Sequence, residues 1–274
     1  MTRHLNIIAC NLLVFLALPA APIHGQDRTF EWGGRMSSGQ VLEVRGIVGN
    51  IHTTLAAGDQ AEVVARKRGD EDDFHQVAIE TADVGDRIVI CAVYGEWNHG
   101  QDRCNPEHDR SGRDDEGRHR NVNIDVEVDF EVRLPAGVDF EGTMVSGDID
   151  AEGLRSDVTA TTVNGGISVV TTGRAWANTV SGDIEIDMGD FSGGDLDFHT
   201  VSGDITLWLP SDFSANVDFS SLSGDFDSDF DMTYRSRREH RWVGSHVQGT
   251  IGGGGRELSI NTVSGNVELR RTRR

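Results

Sequence analysis

The sequence predicts an all-β fold, a parallel β-solenoid with coils of about 20 residues. The first observation is a five-residue unit, apolar-x-Gly-x-apolar, that returns along the chain. The second is the alternation of apolar and polar residues between copies of the unit, which is typical of short strands with one buried face. The third is that no helical period is sustained after residue 26, in a chain that contains 33 glycines.

The first 25 residues have the pattern of a secretory signal peptide. Arg3 and His4 precede an apolar run over Leu5–Leu18, and small residues follow as far as Gly25. This order of charged, apolar and small residues is typical of a cleaved signal. The run is shorter than the roughly 20 apolar residues of a membrane-spanning helix. We therefore expect an exported chain without an integral membrane span; an uncleaved anchor is the alternative.

Residues 26–140 are predicted to form an N-terminal β portion. An outlying copy of the repeat lies at Gly49, and a long alternating run, 122–134, closes the portion. Between them lies a loop, 91–120, that is crowded with Asp, Arg, Gly and His. We expect this portion to cover the N-terminal end of the solenoid, because an exposed end invites aggregation.

Two cysteines remain after signal cleavage, since Cys10 leaves with the signal. In an oxidising compartment, Cys91 and Cys104 are expected to form one disulfide. The alternative is a metal site, because three histidines share the same loop: His99, His108 and His119. Their spacing matches no recognised zinc motif, and the disulfide is therefore preferred.

Residues 141–274 carry the repeats and are predicted to form the solenoid, either in the same domain as the first portion or packed tightly on it. From Gly147 the glycines recur at intervals of 16 to 25 residues, which predicts seven stacked coils. Glycine suits a sharp bend between strands, because it reaches positive φ without steric cost. An antiparallel β-sandwich is the alternative, since such turns also serve hairpins. The predicted turn glycines are Gly49, Gly147, Gly165, Gly182, Gly203, Gly224, Gly249 and Gly265.

Four arginines end the chain after the last repeat: Arg270, Arg271, Arg273 and Arg274. An open sheet edge is a template for pairing with another chain, and charge discourages that pairing. We therefore expect these arginines to close the C-terminal end of the solenoid.

The repeats Thr-Val-Ser-Gly-Asp-Ile at 179–184 and 200–205 resemble the bacterial putative-adhesin family of β-strand-repeat domains of unknown function. The glycine run 249–255 and the closing segment 262–270 share this resemblance, which covers about residues 40–274. The resemblance implies an exported, envelope-associated, β-solenoid-like domain. It provides no catalytic residues to transfer to this chain.

Four aspartates occupy one position of the repeat: Asp148, Asp183, Asp204 and Asp225. Stacked on adjacent coils, their carboxylates would repel unless N–H donors or a cation compensated the charge. We expect them to cap the turns by accepting backbone hydrogen bonds. Calcium is the alternative, because carboxylate oxygens suit it; no cofactor is otherwise indicated.

A cluster of arginines and aromatics lies in the longest interval between repeats, after a run of aspartates. Such a cluster could hold an anionic or sugar ligand by charge and stacking. The competing interpretation is a solvated loop whose charges neutralise the acidic coil beside it. The candidate ligand-binding residues are Tyr234, Arg235, Arg237, Arg238, Arg241 and Trp242.

The composition and the motifs of the sequence argue against nucleic-acid binding and against several common enzyme classes. A net charge of −20 argues against nucleic acid as a partner, because phosphate binding needs a basic face. No hydrolase elbow, zinc-protease motif or phosphate-binding loop is present in the sequence.

The sequence therefore predicts a non-enzymatic adhesin or envelope-interaction module, located in the periplasm, on the cell surface or outside the cell. Its partner would be a surface, a glycan or an envelope protein. A periplasmic scaffold that self-associates, or an envelope sensor, is the alternative. A polysaccharide-active β-helix enzyme is less favoured, because fold analogy alone does not support an activity.

Overall fold

The computed structural model describes residues 28–95, 104, 124–189, 194–239 and 245–272. The predicted signal peptide and most of the loop 91–120 lie outside the described residues. The described part is built almost entirely of β-strands, with a short 3₁₀ helix at Glu71–Gln76. Within it, no helix is long and apolar enough to cross a membrane.

The strands are short and follow one another closely. In chain order they are β1 (Thr29–Arg35), β2 (Val41–Arg45), β3 (Ile51–Leu55), β4 (Gln60–Gly69), β5 (Val77–Val84), β6 (Arg87–Tyr94), β7 (Val126–Leu134), β8 (Asp139–Thr143), β9 (Ile149–Leu154), β10 (Val158–Thr161), β11 (Ile167–Thr171), β12 (Ala175–Asn178), β13 (Ile184–Met188), β14 (Leu196–His199), β15 (Ile205–Leu209), β16 (Ala215–Ser223), β17 (Phe226–Ser228), β18 (Met232–Glu239), β19 (Ser245–Ile251), β20 (Arg256–Ser264) and β21 (Val267–Arg271).

These strands form two sheets that face each other across one hydrophobic core. Sheet A has ten strands in the order β1-β4-β7-β3-β9-β11-β13-β15-β21-β17. Sheet B has eleven in the order β18-β19-β16-β20-β14-β12-β10-β8-β2-β6-β5. Alternate side chains of each strand point inward, so that Phe130 and Ile149 of sheet A share the core with Phe140 and Phe198 of sheet B. The predicted all-β, solenoid-like fold is confirmed.

Each coil consists of one strand of sheet B, a tight turn and one strand of sheet A. Seven such coils stack with parallel pairing in both sheets. One of them is β2–β3, because β2 pairs with β8 and β3 pairs with β9. The outlying repeat at Gly49 therefore belongs to the same stack as the later copies. The predicted boundary at residue 140 falls within β8. Its two neighbours in sheet B are β2, from the predicted N-terminal portion, and β10, from the predicted repeat portion.

The solenoid is extended at both ends by antiparallel strands. At the N-terminal end, the pair β6–β7 adds one more parallel coil, with residues 95–125 in place of a tight turn. Beyond it, β4 and β1 extend sheet A and β5 extends sheet B, all by antiparallel pairing. At the other end, β19 and β18 extend sheet B in the same way.

The last coil does not stack in sequence order. β20 lies between β14 and β16, and β21 lies between β15 and β17. The expected succession of seven coils from Gly147 onward is therefore wrong at its end. β20 and β21 run parallel to both of their neighbours. Each pairs with the backbone N–H and C=O groups of two earlier strands. Gly265 consequently lies between Gly203 and Gly224 in the stack of turns.

Arg270 and Arg271 do not close an edge, because β21 is an interior strand. Arg270 donates a hydrogen bond to Asp227 of the neighbouring β17 at 2.7 Å, and this bond raises the pKa of Arg270. Arg271 lies over the ring of Phe230, 5.1 Å from its centroid. Carboxylates and an aromatic ring of the adjacent coil thus contact the two guanidinium groups that were expected to close the end of the solenoid. Residues 273–274 lie outside the described part.

The predicted turn at Gly249 is also wrong. Gly249 lies inside β19, whose neighbours β16 and β18 are both antiparallel to it. A Cβ at this position would lie 2.5 Å from the sulfur of Met232, so glycine here makes room for a side chain. The turn that follows β19 is formed by Gly252–Gly255, three of whose glycines have positive φ.

Backbone packs directly on backbone at the stack of seven turns, which we call the glycine edge: Gly49, Gly147, Gly165, Gly182, Gly203, Gly265 and Gly224. A Cβ on Gly182 would lie 2.0 Å from the carbonyl oxygen of Gly165, and a Cβ on Gly203 would lie 2.0 Å from that of Gly182. Gly182 has φ of 154°, at the limit of the region that favours glycine. The close approach, more than φ, therefore requires glycine at each turn.

Cys91 and Cys104 form the predicted disulfide, with their Cα atoms 5.8 Å apart. Cys91 lies on the outward side of β6 beside Val89 and Val93, and Cys104 is fully buried against this cluster. The bond therefore attaches the loop 91–120 to the outer face of sheet B. It also engages both thiols, so that neither is free to serve as a metal ligand.

We expect Gly182→Ala to lower the free energy of unfolding by about 3 kcal/mol, because backbone rather than a flexible side chain must move to admit the methyl group. Gly58→Ala is the matched control, since a Cβ at Gly58 meets no atom within 4 Å. Its effect should stay within about 0.5 kcal/mol.

Gly85→Ala separates the cost of φ from the cost of the contact. Gly85 has φ of 71° in open space, and alanine there should cost about 1–2 kcal/mol. Urea unfolding measures all three variants. Equal losses at Gly182 and Gly58 would contradict the close-approach account.

Candidate interaction surface

Each residue of the Thr-Val-Ser-Gly-Asp turn has a separate part in joining the coils. In three turns the threonine points inward, and its hydroxyl donates to the glycine carbonyl of the coil before it. Thr162 donates to Gly147 at 3.1 Å, and Thr179 donates to Gly165 at 3.1 Å. The threonine therefore satisfies a buried carbonyl group that two packed turns would otherwise leave short of donors.

The aspartate accepts a hydrogen bond from the coil that follows. One carboxylate oxygen of Asp183 accepts from the backbone N–H of Asp204 at 2.8 Å, and Asp204 accepts in the same way from Asn266 at 2.6 Å. Where the chain has asparagine, the side-chain carbonyl does the same, as Asn50 does for the N–H of Asp148 at 3.0 Å. The expected turn-capping contacts are thus present, and they run from coil to coil.

Calcium remains an alternative for the outer carboxylate oxygens. Within the described residues, no three His, Cys, Asp or Glu side chains are arranged to hold a metal ion. A neutral asparagine replaces the aspartate at two places in the row. The position therefore needs a hydrogen-bond acceptor rather than a negative charge.

The apolar residue of each turn points outward. We call the resulting row the valine ridge. Its members lie between 39% and 59% exposed and are, in stacking order, Ile47, Val145, Val163, Val180, Val201, Val263 and Leu222. Adjacent members are one strand spacing apart, about 4.8 Å, so that the ridge is roughly 29 Å long. It is a continuous apolar strip on the edge of the protein, beside the row of turn aspartates.

The ridge was not predicted from the sequence, although the alternation of inward and outward residues along each strand already places these side chains outside. Val158, Ala160 and Thr162 are buried at alternate positions, and Val163 is one step out of phase with them. If the alternation of inward and outward side chains continues to the end of each strand, the threonine lies inside and the valine that follows it lies outside. Only the stacking of the coils turns single exposed valines into one surface.

The outer face of sheet A is acidic over β9 and β13, whereas at β4 and β7 arginines pair with the carboxylates. Asp150 and Glu152 on β9 lie on the same face as Glu185 and Asp187 on β13. Burial raises the pKa of Asp150, against the effect of nearby His52, which lowers it. A face of this kind attracts cationic groups and repels anionic ones.

The predicted arginine and aromatic cluster is only partly brought together. Tyr234 and Arg235 lie on β18, where Tyr234 is 46% exposed and Arg235 donates to the side-chain oxygen of Asn216 at 3.4 Å. The backbone positions of Arg237 and Arg238 lie further along β18, but their side chains are outside the described part. Arg241 and Trp242 lie outside it altogether. The hypothesis of an anion or sugar site therefore stays a prediction.

Comparison with known proteins assigns the repeat region to a family. The family model described as Toastrack DUF4097 matches residues 123–270, which is more than half of the chain. No curated protein sequence matches the chain.

Three solved structures share a weak likeness in fold. A putative cell adhesion protein from Clostridium sporogenes has 9% identity and a TM-score of 0.43, with 89% of this chain and 100% of that chain covered. A putative adhesin from Bacteroides fragilis has 13% identity and a TM-score of 0.36, with 90% and 99% covered. One from Parabacteroides merdae has 7% identity and a TM-score of 0.23, with 90% and 98% covered. Scores this low carry no argument about what this chain binds.

We expect Asp183→Ala to lower the free energy of unfolding by about 1 kcal/mol, because the N–H of Asp204 loses its acceptor. Asp183→Asn should stay within about 0.5 kcal/mol of the natural protein, since the amide oxygen replaces the carboxylate. Thermal or urea unfolding with calcium and with a chelator measures both variants. A calcium-dependent stabilisation that Asp183→Asn abolishes would contradict the capping role.

Proposed function

The chain belongs to the Toastrack DUF4097 family, and we propose that it is a non-enzymatic, exported module that binds another macromolecule at the cell envelope, as an adhesin does. The observation that carries the proposal is the valine ridge. An apolar side chain recurs in all seven turns of the glycine edge, at a position outside the core. Contiguous exposed apolar surface on a soluble protein is typical of an interaction site.

The fold itself gives no sufficient reason for the ridge. The contacts that join the turns are made by the glycine, by the inward hydroxyl in three of the turns, and by the side-chain carbonyl acceptor, and these belong to other residues of the repeat. β-Branched residues do favour the extended backbone that the turns adopt. However, Leu222 is not β-branched and is the most exposed member of the ridge, at 59%. Conformational preference alone therefore does not account for the apolar character of the row.

The ridge fits a protein partner better than a hydrated glycan. It is a narrow strip of aliphatic side chains, and the turn aspartates supply a polar border beside it. An apolar centre with a polar rim is the usual anatomy of a protein–protein interface. A surface protein or an envelope protein is therefore the preferred partner, and a glycan is the weaker alternative.

A scaffold that assembles with itself is the second candidate. Two copies of a straight ridge could pack against each other along their length. The border favours this arrangement when the copies run parallel about a two-fold axis along the ridge, because residues such as Asn178 and Thr161 would then face the aspartates of the other copy. The narrowness of the ridge limits the buried area, and we therefore rank self-assembly below binding to a different protein.

A polysaccharide-active enzyme is the catalytic alternative. Glycoside hydrolysis needs two carboxyl groups set about 5 to 9 Å apart across a substrate. At the glycine edge, three of the turn aspartates instead use one carboxylate oxygen to accept a hydrogen bond from a backbone N–H group. Turnover of a glycan that is lost on replacement of one carboxylate would favour the enzyme.

Export is supported by the disulfide, because such bonds persist in oxidising compartments. Protease treatment of intact source cells should release peptides of this chain while a periplasmic marker stays intact. A chain that is protected until the outer barrier is opened would contradict the adhesin and would favour a periplasmic scaffold or sensor.

A photo-crosslinking amino acid, p-benzoylphenylalanine, should capture a partner in living cells when it replaces Val180. The control replaces Gln60, an exposed residue on β4 of sheet A that belongs to no turn of the ridge. A heterologous product at Val180 that is absent at Gln60 is the expected result. A product that contains two copies of this chain would favour the scaffold. Equal yields at both positions would contradict a role for the ridge.

A further inference from the structure

The outer face of sheet A contains a depression of about 460 Å³ that lies away from the valine ridge. Three adjacent strands, β11, β13 and β15, form its floor, and the register places Val170, Asp187 and Trp208 side by side across them. The lining residues with outward side chains are Ser168, Val170, Glu185, Asp187, Trp208 and Thr272. The site is thus one aromatic ring beside two carboxylates on a rigid sheet.

These groups together suit a cation. The face of a tryptophan ring attracts a positive charge, and a carboxylate beside it adds a charge-assisted hydrogen bond. Glu185 is exposed. Asp187 accepts a hydrogen bond from the hydroxyl of Thr272 at 3.3 Å through one carboxylate oxygen, so that the second oxygen can accept from a ligand. The neighbouring Asp150 and Glu152 add negative charge to the same face, which would favour the approach of a cationic group.

The chain contains this same arrangement in filled form on sheet B. The guanidinium of Arg174 lies over the ring of Trp176, 4.7 Å from its centroid. It is held there by Asp157, which accepts from its Nε at 3.0 Å. On sheet B, an aromatic ring and a carboxylate together hold a guanidinium group. The depression at Trp208 offers the same two components, a ring and carboxylates, to a cation.

The arginine nearest to Trp208 on the sheet is engaged elsewhere. Arg270 is the register partner of Trp208 on β21. Its guanidinium donates to Asp227 of β17 at 2.7 Å and to Glu268 of its own strand at 3.1 Å. A cation for the depression must therefore come from another part of the protein or from a partner.

We propose that the depression at Trp208 binds an arginine side chain of a partner protein. Arginine suits it better than lysine, because a planar guanidinium stacks on an indole and bonds a carboxylate with two donors. Glu185 and Asp187 supply the carboxylates, and Val170 contacts the aliphatic stem. This site is separate from the valine ridge, and its failure would leave the function proposed for the ridge untouched.

The test uses the full chain labelled with 5-fluorotryptophan, so that fluorine NMR reports each tryptophan separately. Trp208→Phe assigns the resonance of Trp208. The probes are N-acetylarginine amide, a short peptide with two arginines, and N-acetylcitrulline amide, which has nearly the same shape without the charge. We expect a saturable shift of the Trp208 resonance with arginine, and at least a tenfold weaker effect with citrulline. The peptide should bind more tightly than the free amide if a polypeptide is the natural source.

Matched variants separate the site from the general acidity of the face. Glu185→Gln should weaken arginine binding at least fivefold, whereas Glu131→Gln, on the same sheet but three strands away from β11, should leave it unchanged. Unfolding midpoints of both variants check that the fold is kept. Raising the salt concentration should weaken binding to the natural protein, because the pair is exposed to solvent.

Arg273 and Arg274 follow the lining residue Thr272 and lie outside the described part, so a chain that ends at Thr272 is measured in parallel. Binding in either chain supports the site, and binding in the shortened chain alone shows that the two arginines compete for it. The proposal is overturned if neither chain responds, if citrulline matches arginine, or if Glu185→Gln binds as well as the natural protein. Saturation by N-acetylglucosamine but not by arginine would overturn it in favour of a sugar site.

Discussion

The structure depends on one steric constraint, the contact between a glycine carbonyl in one turn and the glycine of the next. At Gly203 the carbonyl oxygen of Gly182 occupies the space that a Cβ would need. This approach lets the turns bond to each other as the strands do, so that parallel pairing continues around the edge of the coil. The inward threonine and the outward aspartate then satisfy the groups that such tight packing leaves.

The constraint acts on the turn and not on the order of the chain. Any segment that offers a glycine turn between two alternating strands can occupy a place in the stack. This explains why the coil at Gly49 joins the coil at Gly147 across a long excursion, and why the coil at Gly265 lies before the one at Gly224. The C-terminal coil is held on both sides by earlier strands, which makes the last residues of the fold part of its interior.

Because the coils are regular, their outer side chains form rows, and each row is an extended surface for contact. The valine ridge is the apolar row, the turn aspartates are its polar border, and sheet A presents an acidic face with Trp208 among its carboxylates. Each row is fixed by a rigid ladder of backbone bonds, so that little conformational entropy is lost when a partner binds. This architecture supports an interaction module with surfaces on more than one side.

The sequence by itself determined the all-β class, the solenoid repeat, the Cys91–Cys104 pair and the capping role expected of the aspartates, because each depends on local pattern or on a countable pair. It could not determine which coils are neighbours, and the prediction for Arg270 and Arg271 failed for that reason. The prediction for Gly249 failed because a five-residue match does not distinguish a turn glycine from one that makes room for Met232. The valine ridge and the site at Trp208 were decided by tertiary structure alone, since each consists of residues that only stacking brings together.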